Sequence, residues 1–225
     1  MIMSDWEKTY SAGKHVNSWP WSDLISLYFR HRSLLESQEL PARVLELGFG
    51  TGNNYPFWHS LQMEYFGIEF SSSAVAICLG KFPELQDRVQ TGDFSFLEST
   101  PDKFDIICDR SSVTCGNSQQ VLETIPKSYE ALRKGGLYFG VDWFSKNHSD
   151  FESPCTYIDD NTRSDFVTGQ FVDIGQIHFT DRVDMLKIFQ DFEILELTEK
   201  IITSHFPDEG THQFASWNIV ARKPL

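Results

Sequence analysis

The sequence predicts one α/β domain built around a mostly parallel β-sheet. Three observations support this fold class. Short apolar runs alternate with helical segments between residues 43 and 142, as in strand–helix–strand units. A glycine-rich turn follows the first of these runs. The chain has 225 residues, 40% of them hydrophobic, which suits a single domain with a large core. We therefore expect residues 1–225 to form one domain.

The predicted strands are short and almost continuously apolar, which is typical of strands buried on both faces of a parallel sheet. They are residues 43–47, 63–70, 88–93, 104–109 and 137–142. Helices are predicted between them, at residues 74–82 before Pro83, and at residues 119–132 before a Gly-Gly pair. A helix at 183–189 and strands at 192–202 and 213–223 follow. The short polar loop 207–212 makes these last two strands an antiparallel hairpin.

Two segments lie outside this alternation. Residues 1–40 are rich in aromatic side chains, and we expect them to form a helical cap. Residues 143–180 are rich in Asp, Ser, Thr, Asn and Gly, and they show no clear period. Because so long an irregular stretch in a compact domain is usually functional, we expect a partly structured lid that faces the substrate.

Composition excludes several classes of protein. The net charge is −13, and the longest basic cluster is Arg133-Lys134, so a nucleic-acid partner is disfavoured. No run approaches the length of a membrane span, and the acidic N-terminus does not resemble a signal peptide. The four cysteines form no CxxC pair, and no histidine stands at zinc-finger spacing. We therefore expect a reduced, cytoplasmic protein without a metal site, and the oligomeric state stays open.

The main motif is the turn that runs from Glu46 through Gly48, Gly50 and Gly52 to Asn53. Glycine lets the backbone turn sharply and lets a ligand approach without a Cβ in the way. A dinucleotide fingerprint needs its third glycine at position 53, which is asparagine here. The turn also lacks the Gly-Lys-Ser/Thr sequence of a phosphate-binding loop. The spacing therefore disfavours a phosphate-bearing dinucleotide.

Acidic residues at the ends of the next strands extend this candidate site. Glu69 ends the second strand, where a carboxylate can accept hydrogen bonds from both hydroxyls of a ribose. Asp93 and Phe94 close the third strand and can contact an adenine through its amine and its ring. Asp109 and Arg110 end the fourth strand, beside the point where the strand order of such sheets reverses. We expect that last pair to face both a cofactor and a substrate.

Residues 43–142 resemble the class I S-adenosylmethionine-dependent methyltransferases. Their signature is E/D-x-G-x-G-x-G after strand one, an acidic residue after strand two and Asp after strand three. The resemblance implies a Rossmann-like three-layer sandwich with a seven-stranded sheet of order 3-2-1-4-5-7-6 and an antiparallel last strand. It also implies that the cofactor is S-adenosylmethionine, with its methionine moiety on the glycine turn, its ribose on Glu69 and its adenine on Asp93. Further candidate cofactor contacts are Phe70, Phe94 and Asp109.

The methyl acceptor is less constrained by the sequence. After strand four the chain reads Asp109-Arg-Ser-Ser, and nothing resembles the Asn-Pro-Pro-Tyr motif of enzymes that methylate nucleic-acid amines. Because an oxygen or nitrogen acceptor often needs a base, Asp142 and His178 are the candidate catalytic residues. The candidate substrate-binding residues are Tyr10, Trp19, Trp21, Arg110 and His148.

We therefore expect methyl transfer to an oxygen or nitrogen of a small polar molecule, such as a sugar or a biosynthetic intermediate. Three alternatives stay open at this point. The chain could be a non-catalytic module that binds S-adenosylmethionine as a sensor or scaffold. It could methylate a protein or a nucleic acid, or it could be a nicotinamide-dependent oxidoreductase.

Overall fold

The computed structural model describes residues 3–35, 41–94, 97, 103–206 and 212–225. Its strands are β1 (Arg43–Leu47), β2 (Glu64–Glu69), β3 (Val89–Thr91), β4 (Phe104–Arg110), β5 (Leu132–Phe144), β6 (Thr156–Tyr157), β7 (Thr162–Ser164), β8 (Ile177–His178), β9 (Glu193–Thr203) and β10 (Gln213–Arg222). Its α-helices are α1 (Met3–Ser11), α2 (Ser22–His31), α3 (Tyr55–Ser60), α4 (Ser72–Lys81), α5 (Ser118–Ala131) and α6 (Arg182–Ile188).

A seven-stranded sheet forms the centre of the fold, in the order β3-β2-β1-β4-β5-β10-β9. The first five strands are parallel, and β10 runs antiparallel to both β5 and β9. Numbered within this sheet alone, the order is 3-2-1-4-5-7-6. The structure thus confirms the predicted fold, including the antiparallel last strand.

Both faces of the sheet are covered by apolar side chains. Neighbouring residues of β1 point to opposite faces, since Val44 packs in one core cluster and Leu45 and Leu47 pack in the other. Helix α5 begins at a capping box in which Asn117 accepts a hydrogen bond from the backbone N–H of Gln120. The two buried faces explain why the strands are almost continuously apolar in the sequence.

The glycine pair that was predicted to close α5 lies inside a strand instead. Strand β5 starts at Leu132, directly after the helix, and its pairing with β4 shifts register between Phe104 and Ile106. Gly135 has a φ of +77° at this irregularity, and a Cβ on Gly136 would lie 2.8 Å from the carbonyl oxygen of Arg133. The glycines therefore serve a β-bulge, which sequence spacing alone does not distinguish from a helix end.

The two flanking segments also differ from the prediction. Only parts of residues 1–40 are helical, because residues 12–21 between α1 and α2 run without regular α-helix, and residues 36–40 lie outside the described residues. The insertion contains a three-stranded antiparallel sheet, β6-β7-β8, with its own small core around Phe144 and Phe179. Its strands are two or three residues long, which is too short for a periodic pattern to show in the sequence.

No helix among the described residues combines the length and apolarity that crossing a bilayer requires. The four cysteines, at positions 78, 108, 115 and 155, are all free thiols, and Cys78 and Cys108 are buried in the core as predicted.

Candidate active site

The glycine turn between β1 and α3 uses all three of its glycines for backbone conformation. Gly48, Gly50 and Gly52 have φ values of +67°, +56° and +78°, a region that side chains other than glycine rarely adopt. Space is also limited, because a Cβ on Gly48 would lie 2.2 Å from the Cβ of Ser112. A Cβ on Gly52 would lie 2.6 Å from the Sγ of Cys78. Conformation and packing therefore both require glycine in this turn.

A cavity of about 420 Å³ lies beside this turn, where the chain leaves β1, β2 and β4. Ligands of open parallel sheets bind at this edge, outside the carboxyl ends of the strands. Predicted site residues in its wall are Glu46, Gly48, Gly50, Asn53, Glu69, Phe70, Asp93, Phe94, Tyr10, Trp21 and Arg110. We call this space the large cavity.

Glu69 is held rigidly in the wall of the large cavity. Its Oε2 accepts a hydrogen bond from the backbone N–H of Gly50 at 2.8 Å, and its Oε1 accepts one from Ser71 at the same distance. The side chain is only 6% exposed, and burial raises its pKa, although the backbone N–H groups counteract that effect. Because each carboxylate oxygen can accept two hydrogen bonds, Glu69 retains acceptor capacity for a ligand.

Glu46 is a second buried carboxyl in the same wall. Its oxygens accept hydrogen bonds of 2.7 Å from the Nδ2 of Asn54 and from the hydroxyl of Tyr65. Burial raises the pKa of Glu46 to about 7, and the two hydrogen bonds limit that rise. A cationic ligand in the cavity would therefore favour the ionised form of this group.

Comparison with known proteins identifies the family. Residues 44–136 match the family model of a methyltransferase domain. The fold is similar to that of an S-adenosylmethionine-dependent methyltransferase from Methanosarcina mazei, at 15% identity and a TM-score of 0.67 over 86% of this chain and 97% of that one. A search of curated protein sequences finds no match. Residues 44–136 therefore form a methyltransferase domain, and the chain has the fold of S-adenosylmethionine-dependent methyltransferases.

Two further solved structures are similar to this methyltransferase over nearly its whole length. One is an S-adenosylmethionine-dependent methyltransferase from Clostridium acetobutylicum, with 16% identity, a TM-score of 0.62 and coverage of 94% of each chain. The other comes from a complex between the Trm112 methyltransferase activator of Haloferax volcanii and a methyltransferase, with 14% identity, a TM-score of 0.64 and coverage of 98% of each chain. At these identities the likeness concerns the fold.

The large cavity fits S-adenosylmethionine, the cofactor of this family. The left-handed glycines form a cradle that a Cβ would fill, and the buried Glu69 offers acceptor capacity beside it. Glu46 is an acidic group in the same wall, where it can balance the positive charge of the ligand. The glycine turn lacks the Gly-Lys-Ser/Thr sequence that binds a phosphate, and S-adenosylmethionine has no phosphate.

Cofactor binding to this methyltransferase should release protons near pH 7. A cationic cofactor lowers the pKa of Glu46 from about 7, so that a group about half protonated before binding becomes mostly ionised. We expect a release of about half a proton per site at pH 7, where the amino group of the cofactor is already mostly protonated. Titration calorimetry with S-adenosylmethionine in buffers of different ionisation enthalpy measures this number. The Glu46→Gln variant should abolish the release, and proton uptake at pH 7 would contradict the assignment.

The roof of the large cavity is formed by the N-terminal segment. Trp6 and Tyr10 of α1 stack at a centroid distance of 5.8 Å, and His15 packs edge-on to Trp6 at 5.6 Å. All three residues line the cavity. A Cβ on Gly50 would lie 2.9 Å from the hydroxyl of Tyr10, so the roof closely approaches the turn.

Residues 12–21 are tied to the glycine turn by hydrogen bonds. The carbonyl oxygen of Asn17 accepts one from the Oγ1 of Thr51, and that of Trp19 accepts one from the Nδ2 of Asn53. The backbone N–H of Trp21 donates to the Oδ1 of Asn54. Within residues 12–21 these bonds use only peptide groups, so the contact of this segment with the turn is independent of its aromatic side chains.

Glu7 attaches α1 to the N-terminus of α4. Its carboxylate accepts hydrogen bonds from the hydroxyls of Ser71 at 2.6 Å and Ser73 at 2.5 Å, and from the backbone N–H of Ser73 at 3.2 Å. These bonds lower the pKa of Glu7, because they favour its charged form. A carboxylate at this position also interacts favourably with the helix dipole. The roof is thus anchored at the end of the strand that carries Glu69.

A second, smaller cavity adjoins the large one and shares Trp21 and Arg110 with it. The guanidinium of Arg110 lies 3.7 Å from the centroid of the Trp21 ring, and it donates to the Oδ2 of Asp142 from Nε at 3.1 Å. Lys200 bridges the Oδ1 of Asp142 and the carboxylate of Asp23. The two cations and two anions form a balanced network that we call the charge quartet.

Two residues other than glycine have a left-handed backbone conformation at the charge quartet. Ser111, after β4, and Asp142, within β5, both have a φ of +54°. The Oγ of Ser111 donates to the carbonyl oxygen of Asp142 at 2.8 Å, which joins the two strained positions. Such strain persists only where the surroundings enforce it, and it concentrates at functional sites.

The structure places Asp142 away from the cofactor cleft, where the sequence predicted it. Its carboxylate lies outside the wall of the large cavity as the described residues form it, and it lines the smaller cavity instead. Both of its oxygens are occupied, by Arg110 on one side and by Lys200 and Ser216 on the other. A carboxylate engaged in this way positions its cations and is poorly placed to accept a proton from a substrate.

The structure also separates His178 and His148 from the cavities. His178 is buried in the insertion, where its Nδ1 lies 3.1 Å from the Oγ1 of Thr162. Burial lowers the pKa of both histidines to about 4. The walls of the two cavities, formed by described residues, include neither of them. The histidine that does line the large cavity is His15, which the sequence analysis did not select.

Three further placements differ from the prediction. The Trp19 side chain is 79% exposed, and only its backbone contacts the turn. Asp109 is buried and accepts hydrogen bonds from the Tyr138 hydroxyl at 2.7 Å and the Trp143 indole at 2.9 Å, so it braces the sheet behind the cavity. Gly52 packs against Cys78 and shapes the turn without lining the cavity itself.

His148, Asp150 and His212 bring possible metal-ligand atoms within 4.8 Å of one another. The Nδ1 of His148 accepts a hydrogen bond from the backbone N–H of Asp150 at 3.0 Å. Because the neutral ring then carries its proton on Nε2, neither nitrogen has a lone pair available for a metal in this arrangement. In this arrangement His148 and Asp150 are joined by a hydrogen bond, and His148 offers no metal ligand.

Several polar residues of the large cavity were not predicted from the sequence. They are His15, Asn17, Ser111, Ser112, Cys115, Asn117, Gln120, Thr124 and Gln176. Asn117 and Gln120 carried a usable signal, because an Asn followed three residues later by Gln before an apolar helix is a capping box. The others stand in segments whose course depends on tertiary contacts.

Proposed function

We propose that this methyltransferase transfers the methyl group of S-adenosylmethionine to an oxygen or nitrogen of a small polar molecule, such as a sugar or a biosynthetic intermediate. The observation that carries the proposal is the smaller cavity of about 250 Å³, which shares Trp21 and Arg110 with the large cavity. Its size suits a small molecule, and its charge quartet suits a polar one.

In this proposal the large cavity holds the cofactor. Glu69 accepts hydrogen bonds from the ribose hydroxyls, and the turn with Glu46 receives the amino-acid end. Asp93 takes the amine of the adenine, and Phe94 lies against the ring. When bound, the cofactor supplies a methyl group on a positively charged sulfur.

The acceptor would lie between the charge quartet and the large cavity. A guanidinium has five N–H groups, and the bonds of Arg110 to Asp142 use its Nε and one terminal nitrogen. The remaining donors suit the oxygen atoms of a hydroxylated or carboxylated molecule. Ion pairing to Asp142 and stacking on Trp21 hold the guanidinium in one place, which favours in-line alignment of the acceptor with the methyl carbon.

In the proposed transfer, a bond would form between the acceptor atom and the methyl carbon as the carbon–sulfur bond breaks. S-adenosylhomocysteine would be the leaving group, and the proton of the acceptor would pass to solvent. The roof residues Trp6 and Tyr10 keep water from the methyl group, since they lie over the turn. Holding the acceptor close to the methyl carbon and in line with it lowers the barrier through proximity and orientation.

Two alternatives are outcomes of the same test. A structural neighbour comes from a complex with a methyltransferase activator, which keeps a macromolecular acceptor in consideration. A cofactor-binding module without turnover is the other. The net charge of −13 disfavours a nucleic-acid substrate, and the small volume of the second cavity disfavours a folded protein segment.

The deciding experiment measures formation of S-adenosylhomocysteine with panels of sugars, hydroxy acids, small amines, peptides and RNA. We expect turnover with a small-molecule panel. With that acceptor, Arg110→Gln should raise KM about tenfold or more, because a charge-assisted hydrogen bond is lost, while the Kd of S-adenosylhomocysteine changes much less. Arg30→Gln is the control, since Arg30 pairs with Glu196 at the surface. Turnover confined to peptides or RNA would overturn the proposal, and no turnover on any panel favours the module.

A further inference from the structure

Gln176 lines the large cavity from the insertion, directly before β8. Its side chain is 1% exposed. Several buried side-chain atoms have no hydrogen-bond partner among the described residues, and the Oε1 of Gln176 is the only one on a residue of the cavity wall. Buried polar groups are almost always hydrogen-bonded, so this atom points to a partner in the bound ligand.

The orientation of the Gln176 amide is fixed by its neighbours. The backbone N–H of Asn117 donates to the Oε1 of Gln120 at 2.9 Å, which identifies that atom as an acceptor. The Nε2 of Gln176 donates to the same oxygen at 3.1 Å. The amide of Gln176 cannot be reversed without placing two oxygens against each other. Its unpaired atom is therefore an acceptor, and the ligand group that meets it must be a donor.

The cofactor has one donor group that the proposed function leaves half used. Its ribose hydroxyls are assigned to Glu69, the ammonium of its amino-acid end is assigned to the turn with Glu46, and its sulfonium carries no hydrogen-bond donor. The 6-amino group of adenine has two N–H groups, and Asp93 takes one of them. The second N–H needs an acceptor in the cavity wall.

We propose that the Oε1 of Gln176 accepts a hydrogen bond from the 6-amino group of adenine, so that the insertion selects adenine over hypoxanthine. This inference rests on the cofactor placement of the proposed function. It gives residues 143–180 a part in cofactor recognition in addition to the substrate-facing role expected for them. An oxo group at the same position would face the carbonyl oxygen of Gln176 and be repelled.

The test compares two ligands by titration calorimetry on the full chain. S-adenosylhomocysteine carries the amino group, and S-inosylhomocysteine carries an oxo group in its place. For Gln176→Met, which keeps the side-chain length, we expect affinity for the adenosyl ligand to fall about fivefold to tenfold. Affinity for the inosyl ligand should stay constant or improve. Gln119→Met is the matched control, because Gln119 is exposed on α5 and should leave both affinities unchanged.

A second variant controls for the case in which the substitution of Gln176 disturbs the fold. Gln120→Met removes the atom that orients the Gln176 amide, and it should reduce the preference for the adenosyl ligand in the same direction. An equal loss for both ligands, or an unchanged preference in both variants, would overturn the inference. Failure of the wild-type chain to bind S-adenosylhomocysteine would contradict the cofactor placement instead, so the two failures are distinguishable.

Discussion

Glu69→Ala should weaken binding of S-adenosylhomocysteine by about 100-fold or more, since the ribose would lose two charge-assisted hydrogen bonds of about 1.5–3 kcal/mol each. The variant also releases the backbone N–H groups of Gly50 and Ser71, which the carboxylate now holds. The glycine turn and the start of α4 would therefore lose their common anchor. Titration calorimetry measures the affinity, and circular dichroism checks that the fold is retained.

Two controls separate the ligand contact from a general effect of charge. Glu69→Gln keeps the volume of the side chain but turns one acceptor into a donor, which then opposes a backbone N–H, so we expect an intermediate loss. Glu64→Ala removes a carboxylate from the start of the same strand, where it pairs with Arg43, and should leave affinity unchanged. An affinity of Glu69→Ala within threefold of the wild type would show that the ribose lies elsewhere.

Gly50→Val should abolish measurable cofactor binding and also destabilise the fold. Gly50 has a φ of +56°, and a residue with a Cβ in this region costs about 1–3 kcal/mol, with β-branched residues at the upper end. The added Cβ would lie 2.9 Å from the hydroxyl of Tyr10, so the roof must shift as well. We expect the free energy of unfolding to fall by about 2–4 kcal/mol in urea titrations.

Gly80→Ala is the matched control for that variant. Gly80 lies in α4, its Cβ would meet no atom within 4 Å, and its φ is not in the left-handed region. Alanine there should raise the free energy of unfolding by about 0.5–1 kcal/mol and leave cofactor binding intact. Normal binding by Gly50→Val would mean that the turn does not contact the cofactor.

The central sheet could be predicted from the sequence because each strand carries its own local signal. Runs such as residues 106–108 are apolar on both faces, and a glycine or acidic residue stands at the end of each early strand. The sequence therefore predicts that Gly50 and Glu69 belong to the same site. Their hydrogen bond follows from the parallel pairing of β1 with β2.

The acceptor side of the site depends on contacts between distant parts of the chain. Asp142 ends an apolar run, as a catalytic carboxylate could, but Lys200 from β9 and Arg110 from β4 occupy its oxygens. Trp19 and Trp21 are two residues apart and look alike in the sequence, although only Trp21 faces the cavities. Local patterns carry no information about such pairings. For this reason only some of the predicted substrate-binding residues line a cavity.

The roof of the large cavity has a consequence for the order of folding. Residues 3–21 leave the ribosome before the segments that they cover, which are the glycine turn and the start of α4. Their hydrogen bonds to Thr51, Asn53, Ser71 and Ser73 cannot form until those segments have been synthesised and β1 and β2 have paired. This N-terminal segment must therefore wait before it docks, and the binding site closes only after the glycine turn and the start of α4 are in place.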